Sequence, residues 1–125
     1  NVTGREVTLW GLAFKPQTDD IREAPSVAII KELLALGVKV HAHDPIAISA
    51  VKKLFGGAVE FFENGYDALK GAEAWMVVTE WNEFRRPDFE RITKLMKQPV
   101  LFDGRNLYDA KEMKDRGFAY YGIGR

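Results

Sequence analysis

The stretch VTLWGLAFKPQTDDIREAPSVAII, residues Val7 to Ile30, joins two apolar runs through a long, charged loop. Glu6 to Ala13 is predicted to be a strand. Pro25 to Leu36 is predicted to be a helix, because proline suits the first helical turn and Gly37 follows where a cap would be. Loops between a strand and a helix usually run about 2–6 residues, and longer ones are often functional. The stretch therefore predicts the first unit of an α/β fold, with a functional loop inside it.

The rest of the chain alternates apolar runs with helical patterns, which predicts βαβ units and a parallel sheet. Four further strands are predicted, with a candidate last one at the end: residues 39–42, 58–62, 74–79, 99–102 and 118–121. Four further helices are predicted between them: residues 44–57, 66–70, 87–96 and 109–116. We expect a three-layer α/β/α Rossmann-like domain with a mainly parallel sheet of about five strands in the order 3-2-1-4-5.

Two segments of this pattern predict burial. Ala74 to Thr79, AWMVVT, is nearly continuously apolar, as expected for a central strand that is buried on both faces, with Trp75 and Met76 in the core. The helix at residues 25–36 is also mostly apolar, so we expect it to be largely covered.

Length and composition limit the classes of protein that fit. The 125 residues suit one domain, residues 1–125, and Asn1 in place of an initiator Met favours an excised or processed domain. Balanced charge, 18 Lys+Arg against 18 Asp+Glu, gives no reason to expect nucleic-acid or membrane partners. The chain has no cysteine, which excludes disulfides, thiolate metal sites and a cysteine nucleophile within it. With no signal peptide and no long apolar span, we expect a soluble, cytoplasmic domain.

Three unusual segments follow predicted strands: Phe14 to Glu23, Thr79 to Trp81, and Asp103 to Asn106. In open parallel sheets, ligands bind outside the carboxyl ends of the strands, near the point where the strand order reverses. With the order 3-2-1-4-5, these segments follow three neighbouring strands, so we expect them to converge.

The first of these segments could bind an anion through side chains. It contains only Gly11 of a G-x-G-x-x-G turn, so backbone binding of a dinucleotide is not predicted. Lys15 as a point charge and Arg22 as a planar fork would suit a nucleotide diphosphate. The alternative is that both only neutralise the acidic residues of a solvated loop, and Arg105 after a glycine turn is open to the same alternative.

Other candidates have simpler explanations. Asp44 could imitate a ribose-binding acid, but Asp44-Pro45 is more simply the N-cap and first residue of a helix. His41 and His43 share a strand face as a metal pair would, but no third ligand is apparent nearby. Trp81 and Phe84 could line a pocket or cover the sheet, and the sequence does not separate these alternatives.

The amino-acid sequences of the loops closely resemble those of one family. GLAFKPQTDDIREAPS, Asp-Pro after the second strand, VVTEWNEFRRPDF and FDGRNLYD occur in the order found in the carboxyl-terminal domain of UDP-glucose 6-dehydrogenases. The resemblance runs from Thr3 to Arg125 and includes the closing GFAYYGIGR. It implies a UDP-sugar-binding domain of an NAD-dependent enzyme that oxidises UDP-glucose to UDP-glucuronate. NAD would be held mainly by an amino-terminal domain, and a middle segment would mediate dimerisation.

Site residues are implied by position within the matching motifs. Phe14, Lys15 and Arg105 resemble substrate contacts, and Arg22 resembles the arginine that reaches NAD held by the other domain. The family's catalytic cysteine, G-x-G-x-x-G turn and middle segment are absent from these residues, so the chain alone is expected to be inactive and is compatible with a monomer. The alternatives are a related dehydrogenase acting on GDP-mannose or a UDP-N-acetyl-hexosamine, a stand-alone nucleotide-sugar-binding module, and a purely structural domain.

Overall fold

The computed structural model describes residues 2–13, 20–21 and 24–122 of the protein. Its strands are β1 Glu6–Trp10, β2 Lys39–His43, β3 Val59–Phe61, β4 Ala74–Val77, β5 Val100–Asp103 and β6 Ala119–Gly122. Its α-helices are α1 Pro25–Ala35, α2 Ile48–Phe55, α3 Gly65–Leu69, α4 Phe89–Leu95 and α5 Ala110–Asp115.

All the strands pair in parallel in one sheet, in the order β3-β2-β1-β4-β5-β6. The predicted α/β fold and the order 3-2-1-4-5 are therefore confirmed. The sheet has six strands rather than about five, because the candidate segment at the end of the chain pairs with β5 as β6. The strand order reverses between β1 and β4, which pair in parallel so that their carboxyl ends lie side by side. Ligands of open parallel sheets bind at such a point.

One face of the sheet, called here the first face, is packed by aromatic side chains. Trp75 is fully buried and Trp10 lies 4.9 Å from it between ring centroids, edge to face. Helices α3, α4 and α5 cover this face through Leu69, Ile92 and Met113, all of them buried. Aromatic side chains therefore supply much of the buried apolar surface on this face.

The opposite, second face is covered over only half of its width. Ile30 of α1 and Val51 of α2 are fully buried against β1, β2 and β3. Right-handed crossovers place α1 and α2 on this face and the later helices on the other, so no described helix lies over the second face of β4, β5 and β6.

Two burial predictions fail for that reason. Met76, on the second face of β4, is only half-buried, whereas Trp75 on the first face is in the core as predicted. Helix α1 was expected to be largely covered, but only Ser26 and Ile30 are buried along it, and Leu36 just beyond its end is 56% exposed. Residues 2–13, 20–21 and 24–122 contain no helix that could span a lipid bilayer.

Candidate functional site

The chain just after β1, as far as Ala13, lies beside the segments that follow β4 and β5 at the carboxyl edge of the sheet. The predicted segment Phe14 to Glu23 lies mostly outside the described residues, so its convergence with the other two stays a prediction. The N–H of Val78 donates to the carbonyl of Trp10 at 2.9 Å, so the chain after β4 stays paired with the end of β1. The N–H of Gly104 donates to the carbonyl of Val77 at 2.9 Å, which joins the segment after β5 to the same place. These three neighbouring ends form the floor of the candidate site.

Gly11 is required where the chain leaves β1. Its φ is +98°, and a Cβ built on it would lie 2.6 Å from the backbone nitrogen and Cβ of Thr79. Only glycine tolerates both the conformation and this close approach. The Thr79 hydroxyl in turn donates to the carbonyl of Ala13 at 2.7 Å, so Thr79 holds the first loop against the end of β4.

Asp44 holds the same loop from the other side. It is only 2% exposed, and its Oδ2 accepts from the N–H of Leu12 at 2.7 Å and of Ala13 at 3.4 Å. Its Oδ1 accepts from the N–H groups of Ile46 and Ala47 at 2.8 and 2.7 Å. The prediction of a helix N-cap is wrong, because α2 begins only at Ile48 and Asp44 instead closes a turn before it.

The far side of the first loop is anchored as well. The hydroxyl of Ser26, in the first turn of α1, donates to the carbonyl of Leu12. Ile21 packs against the core of the second face, and the N–H of Ala24 donates to its carbonyl at 3.1 Å. Phe14, Lys15 and Arg22, the remaining predicted contacts of this loop, lie outside the described residues.

Asp103 organises the segment after β5. It is 1% exposed, and its Oδ1 accepts from the N–H of Arg105 at 3.1 Å. Its Oδ2 accepts from the N–H of Tyr108 at 2.8 Å and from the hydroxyl of Tyr120 at 2.9 Å. Asn106 takes a φ of +52°, a left-handed conformation that asparagine tolerates better than most residues. The backbone around Arg105 is therefore held in one shape.

Tyr108 secures the outer end of this segment. Its hydroxyl donates to the carbonyl of Phe84, which belongs to the short 3₁₀ turn after β4. Burial raises the pKa of Tyr108 well above its usual range, and the nearby carboxylate of Asp103 adds to the shift. A neutral hydroxyl is the form that can donate to a carbonyl, so the geometry and the direction of the shift agree.

Arg105 is the described basic residue that the sequence placed at the site, and the structure puts it at this edge. Its guanidinium Nη2 lies 3.1 Å from Oε1 of Glu80, in the segment after β4. Both side chains are partly exposed, at 36% for Arg105 and 39% for Glu80. Among the residues that the structure describes, Glu80 is the only side-chain partner of this guanidinium, which leaves further N–H groups for a ligand.

Sequence reasoning did not find the two acidic residues that set this geometry. The sequence indicates Glu80 only as part of the segment Thr79 to Trp81. Its ion pair with Arg105 forms because β4 and β5 are neighbouring strands. Asp103 carried a usable signal, since an aspartate before a glycine turn commonly accepts hydrogen bonds from the N–H groups that follow it.

The remaining candidates lie apart from this edge or serve the core. Trp81 is 8% exposed and Phe84 2% exposed, and both belong to the first-face core, so they cover the sheet. His43 Nδ1 lies 2.9 Å from the carbonyl of Phe62, and His41 Nδ1 lies 3.3 Å from that of Ala68. No group of three or more metal-ligating side chains occurs within the described part of the chain.

The described residues do not fit NAD binding by this domain. A dinucleotide site needs glycines at which a pyrophosphate can approach the backbone, yet the open side of Gly11 is filled by Thr79. It also needs a free acid for the ribose, yet both carboxylate oxygens of Asp44 are bound to backbone N–H groups. The described residues therefore do not form a dinucleotide site at this edge.

A doubly wound parallel sheet with polar side chains at its switch point and no dinucleotide turn in the described residues defines a Rossmann-like domain. Residues 8–110 match the UDP binding domain of the UDP-glucose/GDP-mannose dehydrogenase family. The chain belongs to this family.

The sequences of curated relatives align with nearly the whole chain. It is 50% identical over 127 residues to a UDP-glucose 6-dehydrogenase of Pseudomonas aeruginosa, covering 98% of the chain and 28% of that protein. It is 42% identical over 125 residues to UDP-glucose 6-dehydrogenase TuaD of Bacillus subtilis, covering 100% of the chain and 27% of that protein. The chain thus spans about 28% of the length of such relatives.

Solved structures show the same fold. A UDP-glucose dehydrogenase of Pyrobaculum islandicum superposes with a TM-score of 0.81 at 32% identity, over 98% of this chain and 26% of that one. An NDP-N-acetyl-D-galactosaminuronic acid dehydrogenase of Methanosarcina mazei superposes with a TM-score of 0.85 at 30% identity, over 99% of this chain and 25% of that one. Dehydrogenases that are named for different sugars therefore share this Rossmann-like architecture.

Proposed function

We propose that residues 1–125 form one UDP-sugar-binding domain that acts within an NAD-dependent UDP-glucose 6-dehydrogenase. Membership of a family defined by UDP binding supports the ligand, and the named activity of the relatives supports the enzyme. The observation that carries the proposal is Arg105, held on a fixed backbone at the carboxyl edge of the sheet with N–H groups to spare.

The chemistry of this edge suits a diphosphate-linked sugar. A guanidinium donates through a planar fork that matches a phosphate group, and it stays charged at every physiological pH. Arg105 would hold a phosphate of the ligand, with Lys15 as a second positive charge and Phe14 as a contact to its apolar surface. Glu80 would fix the direction of the guanidinium from the side opposite to the ligand.

The complete enzyme would supply what this chain lacks. The proposed reaction, two successive oxidations of a primary hydroxyl with NAD as the acceptor, needs a cofactor domain and a cysteine, and these 125 residues contain no cysteine. Partner domains of the same enzyme and a homodimeric or larger assembly are part of the proposal. The contact of Arg22 with NAD and the cytoplasmic location stay predictions. We expect the 125-residue chain to show no NAD reduction with UDP-glucose.

Calorimetric titration tests the proposed ligand. The purified chain is titrated with UDP, UDP-glucose, GDP and NAD under identical conditions. We expect weak binding of the two UDP compounds and weaker or no binding of GDP and NAD. Equal affinity for GDP would contradict recognition of UDP, and preferential binding of NAD would contradict the separation of substrate and cofactor between domains.

Arginine variants locate the site. Arg105→Ala should weaken UDP binding at least tenfold, since a charged hydrogen bond contributes roughly 1.5–3 kcal/mol. Arg22→Ala should weaken it less, because the expected partner of Arg22 is NAD. Arg5→Ala is the matched control: Arg5 also forms an ion pair, at 2.7 Å with Glu73, but at the amino edge, where its hydrogen bond lowers the pKa of that carboxyl. Equal losses for all three variants would contradict the assignment of Arg105.

A related sugar nucleotide is the second candidate. The likeness to a dehydrogenase named for an N-acetyl-galactosaminuronic acid, with a TM-score of 0.85, favours testing it. UDP-N-acetylgalactosamine added to the same titration separates the two, because the proposal expects UDP-glucose to bind more tightly.

A further inference from the structure

The second face of β4, β5 and β6 is an apolar surface that the described helices leave open. We call it the open sheet face and define it by Met76, Val100, Phe102 and Tyr121. Phe102 is 38% exposed, Tyr121 is 56% exposed, and their rings stack with centroids 5.1 Å apart. Parallel sheets are stable when both faces are covered, because their strands are hydrophobic on each side.

The adjoining flank of α1 is apolar in the same way. Leu33 is only half-buried and Leu36 is 56% exposed, although both lie on the side that meets β4. Together with the strands they enclose two adjoining depressions of about 330 and 450 Å³ that share Leu33, Leu36, Met76 and Phe102. A helix flank and a sheet face that form one apolar groove indicate a missing layer of the sandwich.

We infer that the open sheet face is covered by an amphipathic helix from the polypeptide immediately upstream of residue 1. Val2, the first described residue, lies in this groove and is 44% exposed, so a chain that continues upstream starts on the surface that needs covering. Relatives matched over the full chain are more than three times as long, which leaves ample polypeptide for such a helix. This inference does not depend on which ligand the carboxyl edge binds.

The dimensions of the groove set the size of the occupant. β4 and β5 have four residues each, which corresponds to about 13 Å of strand. An α-helix covers that length with about 9 residues at 1.5 Å per residue. The rim is polar, with Arg5, Glu73 and Gln98 at one end, so the occupant should present an apolar stripe inward and polar residues outward.

Hydroxyl-radical footprinting on unsubstituted protein tests the inference. The 125-residue chain is compared with the same chain extended upstream through its natural sequence, and oxidation of Tyr121, Phe102 and Met76 is measured by mass spectrometry. We expect oxidation at these positions to fall at least fivefold in the extended chain. Leu54, which is 58% exposed on α2, is the control and should be oxidised equally in both.

Each other outcome overturns the inference. Unchanged oxidation of Tyr121 and Phe102 in the extended chain would show that the upstream polypeptide does not cover the face. Equal protection of Leu54 would show that the burial is not specific to it. Protection that appears in the 125-residue chain as its concentration rises would identify a second copy as the occupant. A natural chain that starts at Asn1 would leave no upstream helix at all.

Discussion

Glu80 Oε1 lies 3.1 Å from the guanidinium Nη2 of Arg105, so an acid from the end of β4 holds the base that follows β5. The pair joins neighbouring strand ends at the switch point of the sheet, where ligands of doubly wound folds bind. Because both side chains are partly exposed, the pair itself contributes only about 0–1 kcal/mol to stability. We therefore expect changes to this pair to alter UDP affinity more than they alter the stability of the fold.

Replacing Glu80 by glutamine should tighten UDP binding about threefold. Glu80→Gln keeps an oxygen that can accept from Arg105 but removes a negative charge beside the proposed diphosphate, and exposed charge pairs contribute roughly 0.2–1 kcal/mol. Titration of wild type and variant at low and high salt measures the effect, which should shrink as salt screens it. Weaker binding by Glu80→Gln would mean that the carboxylate helps the ligand, against the proposed arrangement.

Replacing Asp103 by alanine should destabilise the fold by about 3 kcal/mol, because buried donors that lose a charged acceptor are costly. The N–H groups of Arg105 and Tyr108 would lose their acceptor. Asp109→Ala is the matched control, since this exposed N-cap of α5 is worth only about 1 kcal/mol. Urea unfolding of both variants measures the difference, and equal losses would contradict the role given to Asp103.

Replacing Gly11 by alanine should destabilise the fold by about 3 kcal/mol, from left-handed strain and overpacking against Thr79. The control is Gly57→Ala, since no atom lies within 4 Å of a Cβ built there. That control should stay within about 0.5 kcal/mol of wild type. Thermal unfolding of the two variants separates them, and a well-tolerated Gly11→Ala would contradict the close approach of β1 and β4.

Tyr108 should make the fold sensitive to alkaline pH. Burial raises its pKa, so its stabilising contribution is complete below the unfolded value of about 10 and falls as pH rises above it. Tyr108→Phe should lose about 1–2 kcal/mol at pH 7, because the Phe84 carbonyl loses its donor. The variant should also show a flatter loss of stability between pH 10 and 11 in urea unfolding. An unchanged slope would place the alkaline sensitivity elsewhere.

The strand order and the adjacency of the ends of β1, β4 and β5 were predictable from sequence, because apolar runs between helical patterns and the handedness of crossovers leave few alternatives. The partial exposure of Met76 was not predictable from sequence. An apolar strand indicates that both of its faces are covered, but it does not indicate which segment covers each face. Asp44 was mistaken for an N-cap because its N–H partners in β1's loop, Leu12 and Ala13, are more than thirty residues away. Long-range side-chain bonds of this kind leave no local pattern to read.

The assignments of Phe14, Lys15 and Arg22 came from motif resemblance, and they stay predictions. The structure describes the chain on both sides of these residues. Thr79 and Asp44 hold the chain up to Ala13 by hydrogen bonds, and Ser26 holds the start of α1. A loop anchored at both ends can present its side chains to a ligand at the adjoining edge.

Backbone NMR of the labelled chain during titration with UDP shows whether the carboxyl edge of β1, β4 and β5 binds UDP. We expect chemical-shift changes at Gly11 to Ala13, at Thr79 and Glu80, and at Gly104 to Asn106, with none at Tyr121 or in α2. Such mapping detects binding that is too weak for calorimetry. Shift changes confined to other parts of the chain, or no changes with excess UDP, would contradict UDP binding at this edge.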